Sequence, residues 1–346
     1  MTTIQHVAKR AGVAPITVSR VVNKSGYVTQ SVRDRVETAI ADLGYVPNGL
    51  ARSLRSRRTQ TLALILTDVT NPFFTTLARG VEDAASAAGF MVILGNSDEG
   101  EAKEREYLQV LLQRQVDGIL LVPAGNGAES LRVIQQQGTP VVVMDRRVQN
   151  TEVDVVRYDS EAGAYHLGRH LISLGHQALA IIAGPREVST SEDRVTGFQR
   201  ALTEAGLERS APVYHGKIAT VYYGALTQKS GYEMTQEALK AEPRPTAIFA
   251  ANNFLALGAL GALHDAGVRV PEDMAVVTFD DLLPAFIPVP FLTVADQPAY
   301  EMGQKAVEML LSRLSGKQEP FQEILLESKI IVRQSSGNKR EPAKSF

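Results

Sequence analysis

From Thr61 onward, short runs of apolar residues alternate with stretches in which apolar residues recur at helical spacing. The runs are Leu62–Leu66, Phe90–Leu94, Gly118–Val122, Val141–Met144, Leu179–Ala183, Ala247–Ala250 and Ala275–Phe279. The helical stretches include Thr75–Ala88, Glu101–Arg114, Ala162–Leu174, Arg194–Ala205 and Leu255–Ala266. Because continuously apolar strands that alternate with helices are typical of parallel sheets flanked by helices, this pattern predicts an α/β fold. The length and the number of units favour two lobes over a single sheet.

The first sixty residues show a different pattern, that of three short helices. The predicted helices cover Ile4–Ala11, about Ile16 to Val22, and Ser31–Leu43. Thr2 or Thr3 can cap the first helix, and Gln5 would complete a capping box with Thr2. Thr29 and Gly44 are typical start and stop signals for the third helix.

The spacing of small and apolar residues in this segment predicts an all-α helix-turn-helix headpiece. Ala8 lets two helices cross closely, Gly12 can take the positive φ of a tight turn, and Val18 packs beneath it. The alternative is a generic three-helix bundle. The cations and small hydroxyl residues that flank the second helix favour the helix-turn-helix.

Charge is distributed unevenly along the chain. Residues 1–60 contain ten Lys and Arg and three acidic residues, a formal charge of +7, whereas the whole chain carries -2. A basic end on an acidic body predicts that the headpiece binds a polyanion.

In a helix-turn-helix, the second helix enters the major groove of double-stranded DNA. Pro15, Ile16 and Arg20 are then predicted to face the base edges, where Arg20 can donate two hydrogen bonds to a guanine. Further side chains can donate to phosphates, although each also fits a capping or surface role: Thr17, Ser19, Asn23 and Tyr45.

Beyond the headpiece, Pro47 ends the helical pattern and a linker is predicted. Asn48 can cap a short segment, Gly49–Ser56, that is too short to be stably helical alone. At the other end, the polar residues after Gln334 are predicted to be disordered. The predicted domains are therefore a headpiece at 1–46, a hinge at 47–60, a ligand-binding body at 61–334 and a tail at 335–346.

Three stretches, TIQHVAKRAGVAPITVSRVVN, GYVPNGLARSLRS and TLALILTDVTNPFF, closely resemble the lactose-repressor (LacI/GalR-type) family of bacterial transcription regulators. The likeness extends from Thr3 to about Gln334. It implies a two-lobed core like that of periplasmic sugar-binding proteins, with lobe 1 at about 61–159 and 292–322 and lobe 2 at about 160–291 and 323–334. It also implies a homodimer that binds a near-palindromic operator.

The resemblance also assigns a role to the hinge. Ala51, Leu54 and Arg55 match the family's hinge, whose leucine wedges into the minor groove and kinks the DNA. The alternative is that Leu54 packs on the headpiece or the body.

Polar and aromatic side chains follow the ends of the predicted strands, where ligands bind in open parallel sheets. Together they look like the pocket of ribose-type binding proteins and repressors: Asn71, Phe73, Phe74, Asp145, Arg146, Arg194, Leu226, Asn252, Asp280 and Gln297. The resemblance implies a small sugar-like effector, most often an inducer, although some relatives sense purines or phosphorylated proteins. Leu226 stands where the family often has a stacking aromatic residue, and Tyr222 or Tyr223 is the alternative source of an aromatic ring. Asn252-Asn253 replaces the usual Asn-Asp pair.

Several other classes of protein are disfavoured. The absence of Cys excludes disulfides and thiolate metal sites, and the chain lacks a Gly-x-Ser-x-Gly elbow and a Walker A sequence. His166 and His170 are four residues apart but lack a third metal ligand, so they are interpreted as two surface histidines. A cytoplasmic regulator without cofactor, metal or membrane segment is expected. The alternatives are a module that binds DNA non-specifically and a sugar-modifying α/β enzyme.

Overall fold

The computed structural model describes residues 2–46, 59–207, 219–282, 290–317 and 319–337. The chain divides into two units, residues 1–59 and 60–346. The predicted hinge, with Asn48, Ala51, Leu54 and Arg55, lies outside the described residues, as does the end of the tail after Gly337.

The first unit contains three helices close to their predicted bounds: α1 Ile4–Ala11, α2 Pro15–Val22 and α3 Gln30–Leu43. Their shared core includes Val7, Val18 and Val36, all fully buried. The predicted capping box between Thr2 and Gln5 is wrong. Thr3 is the N-cap and its backbone N–H donates to His6 Nδ1 (3.3 Å), because the Thr2 hydroxyl instead donates to the carbonyl of Leu43 at the end of α3.

The turn between α1 and α2 depends on Gly12. This residue has a φ of 64°, in the left-handed region, and its N–H donates to the carbonyl of Ala8. The turn brings Val18 under α1, as the sequence pattern predicted.

We expect Gly12→Ala to destabilise the headpiece by about 1 kcal/mol, because a Cβ is strained at this φ. The cost should be pure backbone strain, since the new Cβ would lie 4.0 Å from Arg35 Nη1 and clash with nothing. Denaturant unfolding followed by circular dichroism measures the change. Gly261→Ala, in the interior of a helix where the new Cβ would lie in ordinary contact with the Tyr232 ring (3.6 Å), is expected to have the opposite sign. A destabilisation of equal size in both variants would contradict the strain argument.

The second unit is built on two six-stranded sheets, one in each lobe. The first has the strand order β11-β5-β4-β3-β1-β2 and the second β12-β10-β9-β8-β6-β7. The strands are β1 Thr61–Leu66, β2 Met91–Asn96, β3 Gly118–Leu121, β4 Val141–Met144, β5 Asp154–Tyr158, β6 Leu179–Ala183, β7 Ala219–Tyr223, β8 Ala247–Ala250, β9 Ala275–Phe279, β10 Thr293–Asp296, β11 Glu323–Leu326 and β12 Lys329–Ile331. Every pairing is parallel except that of β10 with β12, which is antiparallel.

Helices flank these sheets, as the α/β pattern predicted. They are α4 Pro72–Ala87, α5 Glu101–Gln113, α6 Ala128–Gln136, α7 Ser160–Ser173, α8 Ser189–Glu204, α9 Gln228–Ala238, α10 Asn253–Asp265 and α11 Ala299–Leu314. All seven predicted strands and five predicted helices are present, with small shifts at their ends. The sequence pattern did not reveal β5, where buried and half-buried residues alternate, or the short strands β10, β11 and β12.

The boundaries between the lobes differ from the predicted ones. Strand β10, predicted in lobe 1, pairs with β9 in the second sheet, and strand β11, predicted in lobe 2, pairs with β5 in the first. Sheet pairing decides the assignment: Val294 lies opposite Thr278, and Ile324 lies opposite Val156. Lobe 1 therefore contains β1–β5, α11 and β11, whereas lobe 2 contains β6–β10 and β12.

The tail predicted to be disordered begins with ordered residues. Gln334–Ser336 form a turn of 3-10 helix in which Ser335 and Ser336 are buried. The Ser335 hydroxyl accepts from the N–H of Thr293 (2.8 Å) and donates to the carbonyl of Val276 (2.6 Å). These bonds fix the chain against lobe 2, so the prediction is wrong for residues 335–337.

Candidate functional site: an exposed headpiece helix and an interlobe cavity

The side chains predicted to read DNA lie on the exposed side of α2. Pro15, Ile16 and Arg20 are all exposed, and Ile16 is 55% exposed although it is large and apolar. Within the described residues, the guanidinium of Arg20 has no hydrogen bond or ion pair, in contrast to that of Arg10, which pairs with Asp42 (2.8 Å). An exposed cation beside an exposed apolar side chain suits the edge of a base pair.

The side chains predicted to contact phosphates are less exposed than those predicted to read the bases. Thr17 and Ser19 are half-buried on α2, and Tyr45 packs against the headpiece core. The Asn23 amide donates to the carbonyl (2.8 Å) and the hydroxyl (3.2 Å) of Ser19, so it caps the end of α2. Of these side chains, Asn23 is thus already engaged within the headpiece.

In the second unit, a cavity lies between the lobes, where strands of both sheets end. Nine of the ten residues predicted to bind the effector line it: Asn71, Phe73, Phe74, Asp145, Arg146, Arg194, Leu226, Asn252 and Asp280. The structure adds Asp68, Glu99 and Thr190, which the sequence reasoning missed. All three stand in the segments that follow β1, β2 and β6, so the same rule of reading strand ends could have found them.

Two buried aspartates occupy equivalent positions in the two lobes. Asp145 follows β4 and Asp280 follows β9, with φ values of 64° and 65°. The N–H of Asp145 donates to Val156 (2.9 Å) and that of Asp280 to Ala295 (3.2 Å), so each is held by the neighbouring strand. This arrangement aims one carboxylate from each lobe at the cavity.

Burial changes the acidity of both carboxyl groups. It raises the pKa of Asp145, although Arg146 and Arg194 oppose the shift. It also raises the pKa of Asp280 to about 6, again against the effect of Arg194 and of a hydrogen bond from Gln297. The ionised form of each carboxyl group is therefore less stable in this cavity than in water.

Two arginines face these carboxylates. Arg146, 2% exposed, grips Glu99 with both terminal nitrogens (2.6 and 2.7 Å) and donates to the carbonyl of Pro123 (2.8 Å). Arg194 donates to the carbonyl of Ala251 (2.7 Å) and lies over the ring of Phe279, 4.1 Å from its centroid. Both guanidinium groups are thus fixed before any ligand binds.

Gln297 stands behind the cavity wall instead of lining it. Its amide nitrogen donates to Asp280, and it lines a neighbouring pocket formed by Pro298, Tyr300 and others. Gln297 therefore does not line the cavity. No feature of the sequence distinguishes a residue that lines the cavity from one that orients a neighbouring side chain.

Asparagines at helix starts connect the two lobes. Asn71 caps α4 by accepting from the N–H of Phe73 (3.0 Å), and Asn252 caps α10 by accepting from Leu255 (2.8 Å). The amides of Asn71 and Asn253 donate to each other across the cleft (3.1 and 3.0 Å). The departure from the usual Asn-Asp pair thus places a neutral amide where it can join lobe 2 to lobe 1.

The apolar surface of the cavity is asymmetric. Lobe 1 contributes Phe73 and Phe74, whose rings pack edge to face with centroids 5.0 Å apart, whereas lobe 2 contributes Leu226. Neither Tyr222 nor Tyr223 lines the cavity, and Tyr223 is covered by the guanidinium of Arg186 at 3.9 Å. The compensation suggested for Leu226 is therefore wrong.

Several buried polar atoms near the cavity have no hydrogen-bond partner among the described residues. They are Asp145 Oδ1, Arg146 Nε, Ser191 Oγ, Arg194 Nε and Gln297 Oε1. Since such atoms are rarely left unpaired, their concentration here indicates a site for a ligand with both donors and acceptors.

Metal chemistry has little support in the parts of the chain that the structure describes, where no cluster of three or more His, Cys, Asp or Glu forms a metal site. His166 is exposed, but His170 is half-buried and its Nε2 lies 2.9 Å from the Ser336 hydroxyl. The interpretation as two surface histidines is thus wrong for His170. Among the described helices, none is long and apolar enough to cross a membrane.

Each of the two units matches a family of known proteins. Residues 3–48 match the family described as bacterial regulatory proteins, lacI family, and residues 59–333 match periplasmic binding proteins and sugar binding domain of LacI family. The chain is 36% identical to the HTH-type transcriptional repressor PurR of Erwinia tasmaniensis and 36% identical to the ribose operon repressor of Halalkalibacterium halodurans, each over 97% of both chains.

Among solved structures, the lac repressor dimer bound to operator and an anti-inducer superimposes with a TM-score of 0.83 at 27% identity, over 97% of this chain and 99% of that one. The relatives are transcriptional repressors, which is the class of protein that the headpiece and the cavity indicate. The chain belongs to the lacI family of bacterial regulatory proteins and is a ligand-responsive, DNA-binding repressor.

Proposed function

We propose that the effector is a small, uncharged sugar that binds between the lobes. The observation that carries this proposal is the pairing of one buried aspartate from each lobe, Asp145 and Asp280, with the two fixed arginines, Arg146 and Arg194. A hydroxyl group both donates and accepts, so it can satisfy a carboxylate and a guanidinium at once. The unpartnered buried atoms around the cavity support a ligand of this kind.

The apolar walls support the same ligand class. The rings of Phe73 and Phe74 can cover one apolar face of a sugar ring, and Leu226 can cover the other without a π surface. A purine would instead be expected to stack between aromatic faces. The relatives do not decide the matter, because a PurR repressor and a ribose operon repressor are equally similar to this chain.

Isothermal titration calorimetry against pentoses, hexoses, nucleosides and purines tests the proposal. A pentose or hexose is expected to bind with a one-to-one stoichiometry per chain and to raise the melting temperature. Binding of a purine or nucleoside alone would make the sugar assignment wrong. Binding of none of them, with retained operator binding, would favour a protein partner as the signal.

The proposed DNA contacts follow from the headpiece. Pro15, Ile16 and Arg20 would face the base edges, with Thr17, Ser19 and Tyr45 near the phosphates. Ala51, Leu54 and Arg55 would bind the minor groove. Since the contacts involve cations, affinity should fall steeply as salt rises. Such a regulator would act in the bacterial cytoplasm, where the chromosome lies.

The proposed mechanism couples cavity and headpiece through lobe movement. Contacts across the cleft include the amide pair of Asn71 and Asn253 and the ion pair of Arg147 with Asp193. A sugar that binds both lobes shifts their relative position and so biases a two-state element, the hinge. We propose that the sugar releases the operator.

The repressor is proposed to be a homodimer on a near-palindromic operator. Edge strand β2 exposes Met91, Ile93 and Leu94, which are 74%, 40% and 46% exposed, and α5 exposes Val110. An unpaired strand with exposed apolar side chains is avoided in proteins unless another chain covers it.

We therefore expect Leu94→Asp to convert the dimer to a monomer and to weaken operator binding, because a charge would be buried in the proposed interface. Sedimentation velocity measures the change in mass. Val332→Asp places the same charge at another exposed apolar position, 57% exposed, and should leave the dimer intact. A Leu94→Asp variant that remains dimeric would exclude β2 from the interface.

A further inference from the structure

We propose that Glu99 determines the charge of the effector. The carboxylate of Glu99 occupies both terminal nitrogens of Arg146, the guanidinium fork that would otherwise bind a phosphate. The cavity therefore accepts uncharged sugars and excludes their phosphorylated forms. This inference rests on the proposed sugar effector and adds which sugars the cavity rejects.

The contacts of Arg146 leave no fork for an anion. Its Nη1 donates to Glu99 Oε2 (2.7 Å) and to the carbonyl of Pro123 (2.8 Å), and its Nη2 donates to Glu99 Oε1 (2.6 Å). Parallel hydrogen bonds from both terminal nitrogens are the contacts by which arginine grips a phosphate. Since Glu99 already accepts them, Arg146 presents to the cavity chiefly its Nε, which lies 3.8 Å from Asp145 Oδ2.

The backbone fixes Glu99 in this position. Asp98 and Glu99 are consecutive non-glycine residues in the left-handed region, with φ values of 51° and 58°. The carboxylate of Asp98 accepts from the Asn96 amide (2.6 Å), and the N–H of Glu99 donates to the carbonyl of Thr67 (3.1 Å). Strained backbone persists only where its surroundings hold it, and here it aims a carboxylate at Arg146.

The other guanidinium is also engaged. Arg194 donates one terminal nitrogen to the carbonyl of Ala251 and lies over the Phe279 ring. Its Nε has no hydrogen-bond partner among the described residues, so of the two guanidinium groups that line the cavity only that of Arg146 has both terminal nitrogens occupied.

The net charge of the cavity also disfavours a phosphate group. Four carboxylates and two guanidinium groups line it, which gives a formal charge of -2: Asp68, Glu99, Asp145 and Asp280 against Arg146 and Arg194. The cavity stays negative even when one aspartate is protonated. A phosphate group would lose its hydration on entering and meet no net positive charge, whereas the loss of hydration costs far less for an uncharged hydroxyl group that finds hydrogen-bond partners.

The test is Glu99→Gln, which keeps the shape of the side chain and removes its charge. Calorimetry at neutral pH with inorganic phosphate, D-ribose and D-ribose 5-phosphate should show no phosphate binding to the wild type. We expect Glu99→Gln to bind inorganic phosphate and the sugar phosphate at least about tenfold more tightly than the wild type does. Glu129→Gln is the matched control, because Glu129 grips Arg132 with two similar bonds (2.6 and 3.0 Å) on the protein surface.

A second variant separates charge from shape. Glu99→Asp keeps the carboxylate and should still exclude phosphate. The inference is overturned if Glu99→Asp admits phosphate as readily as Glu99→Gln, or if a folded Glu99→Gln gains no affinity for it. It is also overturned if the wild type binds D-ribose 5-phosphate as tightly as D-ribose, a comparison that needs no variant to fold.

Failure of the sugar proposal would look different. In that case no neutral sugar binds the wild type, yet inorganic phosphate still reports whether Glu99 excludes anions.

Discussion

Replacing Asp280 with asparagine is expected to weaken effector binding by about a hundredfold while making the ligand-free protein more stable at neutral pH. The two effects have one cause. Asp280 is buried at the end of β9, and its carboxylate is the group of lobe 2 best placed to accept from two hydroxyl groups of a sugar. The same burial makes the ionised carboxylate costly in the absence of a ligand.

The pH dependence follows from the direction of the shift. The pKa of Asp280 is raised to about 6 from an ordinary value of 3.8, so the folded protein holds this proton more tightly than the unfolded chain does. Its contribution to stability therefore falls as pH rises from about 4 to about 6, and the full cost, roughly 3 kcal/mol, is present at higher pH. Arg194 and Gln297 reduce the cost, whereas Asp145 and Asp296 increase it.

Asparagine suits the site in every other respect. It tolerates the left-handed backbone better than most residues, and its carbonyl can accept the bond from Gln297. Calorimetry measures effector affinity, and thermal unfolding at pH 5 and pH 8 measures stability, with the gain expected at pH 8. Asp265→Asn, in an exposed carboxylate that accepts from Tyr232 (2.9 Å), should change neither effector affinity nor this pH dependence. Effector affinity within a few-fold of the wild type would remove Asp280 from the site.

The sequence pattern predicted the parts of the fold whose signals are local. Strands such as Val141–Met144 and Leu179–Ala183 are buried throughout, so their apolar runs identify them without knowledge of the partner strand. The lobe assignment of β10 and β11 could not be predicted in this way. Both are short, and the sheet that each joins depends on tertiary pairings, such as that of Ile324 with Val156, which lies far away in the chain.

The same distinction applies to the cavity. Asp145 and Asp280 were predicted because each directly follows a buried strand, and position at a strand end is a local property. Glu99 follows β2, so the same local rule could have placed it at the cavity, but no spacing in the sequence marks its contact with Arg146, 47 positions later. Gln297 was predicted to bind the effector from its place in the late crossover segment, but its orientation toward Asp280 is a tertiary feature.

Arg20→Ala is expected to remove most of the discrimination between the operator and other DNA, while effector binding stays unchanged. Arg20 is exposed on α2, and no described residue pairs with it, so its guanidinium is free to donate two hydrogen bonds to one guanine. Loss of such a pair costs about 1–3 kcal/mol, which corresponds to roughly 5- to 150-fold in each half of a palindromic site. Structural damage should be small, because the packing of α2 depends on Val18 and Val21.

Competition binding with operator and scrambled DNA, at several salt concentrations, distinguishes recognition of the bases from non-specific attraction between charges. Arg10→Ala removes the same charge from the headpiece, at a side chain that pairs with Asp42, and should weaken operator and scrambled DNA alike. Arg20→Ala should instead weaken operator binding far more than binding to scrambled DNA. If both variants lower the two affinities by the same factor, Arg20 contributes only charge, and the bases are read by other side chains of the headpiece.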